Sequence, residues 1–155
     1  MVTELTSRGV WAMDTDEIAD WVDDSGMPAR APAPMTATWL ASHRWVWTRA
    51  AFERAIHMAG TATAFFCGIA VNQRDMLDLF DRVFLLALDE QTQIDRLDAA
   101  SNADRNAAQR AEIIDGRPVF EAQMRDAGAV VLDGRQPTPV LTTAILRAVD
   151  ERPPT

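Results

Sequence analysis

Short apolar runs alternate along the chain with stretches of helical periodicity. Four of the runs predict strands, over residues 10–13, 64–68, 83–88 and 129–132. An uninterrupted apolar run of about four to six residues between turn signals is typical of a strand buried in a sheet. The stretches between the runs place apolar side chains every third or fourth residue, which predicts helices that bury one face.

The predicted helices begin and end at recognisable residues. Gly9 and Gly128 are placed as left-handed caps, and Asp89 as an N-cap. Gly116 and Pro118 are expected to break or kink the helix that starts at residue 107. The helices are expected over residues 2–8, 17–21, 48–60 and 72–80, after Asp89 as far as the polar segment 101–105, over 107–114, from Pro118 to Gly128, and over 138–149.

Strands separated by helices predict one α/β domain over residues 1–150, with a parallel sheet covered by helices on both faces. The proline-rich segment 25–34 predicts an extended loop, and residues 151–155 a disordered tail. In such sheets ligands bind beyond the carboxyl ends of the strands. That edge is expected to hold Asp14, Asp16, Cys67, Gly68 and the segment after Leu88.

Composition excludes several classes of function. The net charge of −8 on 155 residues opposes binding to nucleic acid, and the arginines are scattered and form no basic patch. The uncharged stretch over residues 58–71 is too short to span a membrane. A single cysteine, Cys67, excludes an intrachain disulfide and fits a reducing cytoplasm. We therefore expect a cytoplasmic protein without a membrane partner.

All fifteen basic residues are arginine, so the chain contains no lysine. A general compositional bias towards arginine is enough to explain the absence of lysine. In either case, the sequence holds no G-x-x-x-x-G-K-[ST] phosphate loop, lysine Schiff base or lysine general base.

Several short motifs occur in a fixed order across nearly the whole chain. They are D-T-D at 14–16, H-R-W-V-W at 43–47, F-C-G at 66–68 with Asn72, L-F-D-R-V-F at 79–84, the stretch 89–97, Asn102, Asp104, and the stretch 128–133. In this order and spacing the sequence resembles bacterial P-loop kinase-like proteins of the nucleoside-kinase-like and shikimate-kinase-like kind.

The resemblance implies an ATP- and magnesium-dependent kinase that phosphorylates a small hydroxylated acceptor. In that family the first strand leads through the phosphate loop into a helix, and residues 1–5 look like the start of this helix. The chain is therefore expected to lack both the first strand and the loop, and to be inactive as given. The alternative is a degenerate, non-catalytic module that binds a small ligand or a partner chain. A thiol enzyme that uses Cys67 is a third hypothesis.

The missing strand is expected to lie in the middle of the sheet, beside the strands that end at Cys67 and Leu88. Its loss would leave two inner edges with unpaired backbone groups. A longer gene product would supply the strand, or the other strands would close the gap. A partner chain, including a second copy, could also donate a strand.

By resemblance, Asp14 and Asp16 are the catalytic residues, which bind the acceptor hydroxyl and act as base or as an outer ligand to magnesium. A carboxylate suits this role because it accepts a hydrogen bond from a hydroxyl. The alternative is that Asp14 and Glu17 cap the following helix. Arg96 and Arg105 correspond to the lid that holds phosphate, since guanidinium groups bind phosphate oxygens in pairs.

Arg96 could instead lie on a solvated helix face and pair with Glu90 or Asp95. The acceptor is expected to contact Arg44, Trp45, Trp47, Gly68, Asn72 and Arg74. The tryptophans would stack a planar group, and glycine would allow a close approach. Alternatively, the tryptophans cover a core and Asn72 caps its helix.

Overall fold

The computed structural model describes residues 1–60, 63–99 and 107–151. Within these ranges six strands form: β1 (Trp11–Asp14), β2 (Ala19–Asp23), β3 (His43–Trp47), β4 (Ala64–Cys67), β5 (Phe84–Ala87) and β6 (Val130–Asp133). The α-helices are α1 (Val2–Ser7), α2 (Ala37–Ala41), α3 (Arg49–Ala59), α4 (Glu90–Ala99), α5 (Ala107–Asp126) and α6 (Thr138–Asp150). Two 3₁₀ helices cover Thr15–Ile18 and Gln73–Leu79. The predicted tail lies outside the described residues, apart from Glu151.

The predicted helix ends are confirmed at several positions. Gly9 and Gly128 have φ of 79° and 81°, a left-handed conformation that glycine adopts at little cost. The Thr48 side chain accepts from the Ala51 amide at the start of α3. Asp89 Oδ1 accepts from the Thr92 amide at 2.8 Å, as expected of an N-cap before α4.

The strands form three separate two-stranded sheets among the described residues. Two are parallel, β1 with β4 and β5 with β6, and the third is the antiparallel pair β2–β3. The mixed α/β class and the parallel pairing of the four predicted strands are therefore confirmed. The single parallel sheet is not observed, because β4 and β5 share no hydrogen-bonded ladder. Burial on both faces is also incomplete, since Val131 is 40% exposed.

The helix predicted over 17–21 is wrong. The 3₁₀ helix ends at Ile18, and β2 then pairs with β3 in continuous register from Ala19 opposite Trp47 to Asp23 opposite His43. A five-residue helix makes few internal hydrogen bonds to offset the cost of nucleation, so tertiary contacts decide whether so short a segment is helical, as in α2, or extended. The ladder to a distant strand satisfies the same backbone groups and aligns aromatic side chains across the pair.

The separate helices predicted on either side of Gly116 and Pro118 are not observed, because α5 runs through both residues. The helix contacts α2, α4 and β5. Arg117, between the two residues, donates to the Leu88 carbonyl at 3.0 Å. These tertiary contacts of α5 therefore offset the local preference of glycine and proline against helix.

The main core surrounds Phe52 on α3, which is fully buried. Its ring packs edge-on against Trp47 of β3 and Phe80, at centroid distances of 5.1 and 5.4 Å. Phe66 of β4 lies 5.1 Å away on another side. This core therefore joins α3, the antiparallel pair and the first parallel pair, and it fixes the strand ends described below.

Candidate functional site

The carboxyl end of the β1–β4 pair is built from the D-T-D turn. Asp14, opposite Cys67 in register, accepts the Asp16 amide at 3.0 Å. Thr15 is fully buried, and its hydroxyl donates to the Cys67 carbonyl at 3.3 Å. Asp14 therefore caps the 3₁₀ helix, while Thr15 joins the turn to the end of β4. Asp16 is left exposed at this edge.

Gly68 follows β4 directly and lies against this turn. A Cβ atom at residue 68 would lie 1.8 Å from Thr15 Oγ1, far inside van der Waals contact. The sequence suggested a small residue here for access of a substrate. In the structure, the buried Thr15 side chain itself requires glycine at this position.

Asp16 lies next to a row of aromatic side chains. The indole Nε1 of Trp45 donates to Asp16 Oδ1 at 3.4 Å. Trp45 contacts Trp21 at a centroid distance of 5.4 Å, and Trp21 contacts Trp39 at 4.8 Å. His43 stacks on Trp39 at 4.1 Å. We call these four aromatic residues the tryptophan row; the structure thus brings two predicted site residues, Asp16 and Trp45, together at one end of it.

Trp21 belongs to the row but was not among the predicted site residues. The available signal was short: Ala19, Asp20 and Trp21 alternate between apolar and acidic, as in a strand, and Val22 then interrupts the alternation. Because the segment was interpreted as a helix, Trp21 was not aligned with Trp45, which lies opposite it in the ladder.

Trp47 and Asn72 hold the scaffold together. Trp47 is 7% exposed and packs against Phe52. The Asn72 side chain accepts from the Trp47 amide at 2.9 Å and donates to the Trp47 carbonyl at 2.8 Å. This pair of bonds uses both the oxygen and the nitrogen of the Asn72 side chain at Trp47 of β3. The location of Trp47 agrees with the alternative that these tryptophans cover a core.

Arg44 points away from the tryptophan row, because successive residues of a strand face opposite sides. Its guanidinium lies 3.8 Å from the Asp24 carboxylate, and its side chain is 54% exposed. Arg74 is an exposed residue of the second 3₁₀ helix. The structure therefore separates Arg44 from the ring of Trp45.

Charged residues also gather at the carboxyl end of the β5–β6 pair. Arg135 donates to Asp133 Oδ1 at 2.8 Å and lies 3.9 Å from Asp89. The hydrogen bonds from Arg135 hold the pKa of Asp133 well below its usual range. The Thr92 amide and hydroxyl lower the pKa of Asp89. Both carboxylates are therefore ionised and engaged within the chain at neutral pH.

Of the two predicted lid arginines, Arg96 donates to the Gly134 carbonyl at 2.8 Å. This bond is to the backbone of Gly134, whereas the alternative interpretation paired Arg96 with Glu90 or Asp95. Arg105 lies outside the described residues. Arg117 was missed by the sequence analysis although it donates to the Leu88 carbonyl at this edge. A lone arginine on a long helix carries no local signal, and only the packing of α5 on β5 brings it there.

Burial raises the pKa of the Cys67 thiol, and the Asp14 carboxylate raises it further, whereas the amino group of Met1 lowers it. The thiol is therefore protonated at neutral pH, which weakens its reactivity as a nucleophile. These surroundings give the hypothesis of a thiol enzyme no support.

The residues present do not fit the phosphate groups of ATP. The sequence has no lysine and no glycine-rich phosphate loop. Across residues 1–60, 63–99 and 107–151, no cluster of three or more His, Cys, Asp or Glu side chains could hold a metal ion. In the same part of the chain, no helix is both long and apolar enough to cross a bilayer.

No model of a protein family matches this chain, and neither a curated protein nor a solved structure matches it.

Proposed function

We propose that this chain is the acceptor-binding part of a P-loop kinase-like phosphotransferase that uses ATP and magnesium. As given, it does not catalyse transfer, because its sequence has no phosphate loop. The observation that supports this proposal is the Asp16 carboxylate beside the Trp45 indole, at the carboxyl end of a parallel strand pair. Ligands of α/β proteins bind at this edge.

Asp16 is a better candidate for the acceptor-binding carboxylate than Asp14. The Asp14 side chain already accepts a hydrogen bond from the Asp16 amide, whereas Asp16 is exposed and, within the described part of the chain, its carboxylate accepts one long hydrogen bond, from Trp45. An ionised carboxylate accepts a hydrogen bond from an acceptor hydroxyl and orients it for attack. Trp45 packs against the core but is only half-buried, so the accessible part of its ring offers an apolar surface to a planar group. Asp16 and Trp45 together suit a small, hydroxylated, partly planar molecule.

A second candidate function is a non-catalytic module that binds a small ligand or a partner chain. The carboxyl end of the β5–β6 pair favours this second function. There Arg96 and Arg117 donate to backbone carbonyls, and Asp133 is bound by Arg135. Arginines engaged in this way stabilise the fold and are not free to neutralise a transferring phosphoryl group.

Tryptophan fluorescence tests the proposed acceptor site. The chain is titrated with small hydroxylated compounds, namely sugars, nucleosides and hydroxy acids, in the wild type, Asp16→Asn and Asp20→Asn. Asp20 is exposed on the opposite face of β2 from Trp21, so its variant matches the change in charge away from the row. We expect one class of compound to quench the tryptophan fluorescence in a saturable way. Asp16→Asn should weaken the binding of that class by about tenfold, because one charge-assisted hydrogen bond is lost.

Asp20→Asn should bind like the wild type. If no compound gives a saturable signal, or if both variants weaken binding equally, the acceptor site is refuted. Light scattering on the same samples addresses the second function. A folded oligomer that binds none of the compounds would favour the second function, a module that binds a partner chain.

A further inference from the structure

An exposed proline-rich segment leaves the antiparallel sheet beside the tryptophan row. The Ala29 amide donates to the Trp21 carbonyl at 2.8 Å, and residue 28 forms an antiparallel bridge with residue 22. The chain therefore runs along β2, on the side away from β3. Pro28, Arg30 and Pro32 are all exposed before the chain bends at residues 33–34. We call residues 28–32 the proline segment; it is open to solvent next to the row.

The sequence of the proline segment favours a single extended conformation. Proline fixes φ at about −65°, and its ring keeps the preceding residue extended. A segment restricted in this way loses little conformational entropy when it binds. Extended proline-rich chains dock their rings on aromatic side chains. Arg30 adds a positive charge between the two prolines.

The tryptophan row offers the complementary surface. Its side chains are half-buried, so each exposes part of its ring. Asp23 lies opposite His43 in the β2–β3 ladder, and paired residues share one face of a sheet. Hydrogen bonds from the Ser25 hydroxyl and the Met27 amide lower the pKa of Asp23, which is therefore ionised at neutral pH. This end of the row combines aromatic rings with a negative charge, which matches a segment that is both proline-rich and basic.

One chain carries both complementary surfaces, and this points to a second copy as the occupant. Two chains with a net charge of −8 repel each other, so a contact between them needs a local pair of opposite charges. Arg30 supplies the cation and Asp23 the anion. The proline segment and the row are neighbours within the chain. A two-fold axis between them therefore carries each segment onto the row of the other copy.

We propose that the tryptophan row binds the proline segment of a second copy of this chain, in a two-fold dimer that makes the same contact twice. In each contact the proline rings pack on the exposed parts of Trp21 and Trp39. The Arg30 guanidinium faces the Asp23 carboxylate. Asp16 lies at the other end of the row, beside Trp45.

This contact goes beyond the proposed acceptor site and does not depend on it. A dimer that binds no acceptor would refute the proposed function and keep the inference. A monomer that binds an acceptor would do the opposite.

Sedimentation velocity over a concentration series tests the inference with the wild type, Arg30→Glu and Arg54→Glu. Arg54 is exposed on α3, so its variant makes the same change in charge outside both surfaces. Circular dichroism melts check that each protein is folded. A capped peptide with the sequence of residues 26–34 serves as competitor, and the same peptide with Arg30→Glu is its control.

We expect the wild type to dimerise. Arg30→Glu should raise the dissociation constant of the dimer by about a hundredfold, because a like-charge contact that costs about tenfold is made twice. Arg54→Glu should dimerise like the wild type. An excess of the competitor peptide should dissociate the dimer and change the tryptophan fluorescence, and the control peptide should do neither.

A monomer at every concentration would overturn the inference. So would a dimer that Arg30→Glu leaves unchanged, or one that both variants weaken equally. Binding of the competitor peptide to a chain that stays monomeric would show that the row takes a proline-rich segment of another protein, and would overturn the second copy as its occupant.

Discussion

The contact between Gly68 and Thr15 gives a quantitative test of the turn that positions Asp16. In Gly68→Ala the new Cβ would lie 1.8 Å from Thr15 Oγ1 and 3.1 Å from Thr15 Cβ. Overpacking of this kind costs about 1–3 kcal/mol. The hydroxyl must also leave the Cys67 carbonyl, which costs about 0.5–1.5 kcal/mol more. We therefore expect Gly68→Ala to lower the free energy of unfolding by about 1.5–4.5 kcal/mol.

A double-mutant cycle isolates this contact. Thr15→Ala removes the clashing oxygen, so adding Gly68→Ala in that background should cost less than about 1 kcal/mol. Urea unfolding followed by tryptophan fluorescence measures all four proteins. Gly116→Ala is the matched control, because its position is open and lies within α5. That substitution should stabilise by about 0.5–1 kcal/mol. Equal costs for Gly68→Ala in both backgrounds would refute the steric explanation.

Three further predictions concern the core, a helix cap and low pH. Phe52→Ala should cost about 3–5 kcal/mol in urea unfolding, because the fully buried ring leaves a cavity; a cost below about 1 kcal/mol would contradict this core. Thr48→Ala should cost about 1 kcal/mol through loss of the α3 cap, whereas Thr48→Ser should cost less. Asp133 has a lowered pKa when folded, so its stabilisation is complete above the unfolded pKa of about 3.9 and is lost as pH falls below it. Thermal melts should show a weaker acid dependence in Asp133→Asn, and an unchanged dependence would exclude this role.

The elements that the sequence predicted well are those whose signals are local. Continuous apolar runs identified β4, β5 and β6, and side chains or glycines next to the helices located their ends at Asp89 and Gly128. These signals depend on a few neighbouring residues, so they need no knowledge of the rest of the fold.

The elements that could not be predicted depend on distant partners. Strand β2 exists because β3, more than twenty residues later, pairs with it, and α5 continues through Pro118 because of packing by other elements. The same holds at the site. The proximity of Asp16 and Trp45 follows from the β2–β3 ladder, and the role of Gly68 follows from the buried position of Thr15. Whether Asp16 binds an acceptor stays a prediction.

The central claim is that this chain has the acceptor side of a kinase-like site without its phosphate loop. The most direct measurement is calorimetric titration with ATP and magnesium of two proteins. One is the chain as given, and the other carries a strand and a G-x-x-x-x-G-K-[ST] loop ahead of Met1. We predict no saturable heat for the first and saturable heat for the second, because the backbone amides of a phosphate loop bind phosphate groups. Saturable ATP binding by the chain as given would contradict the claim.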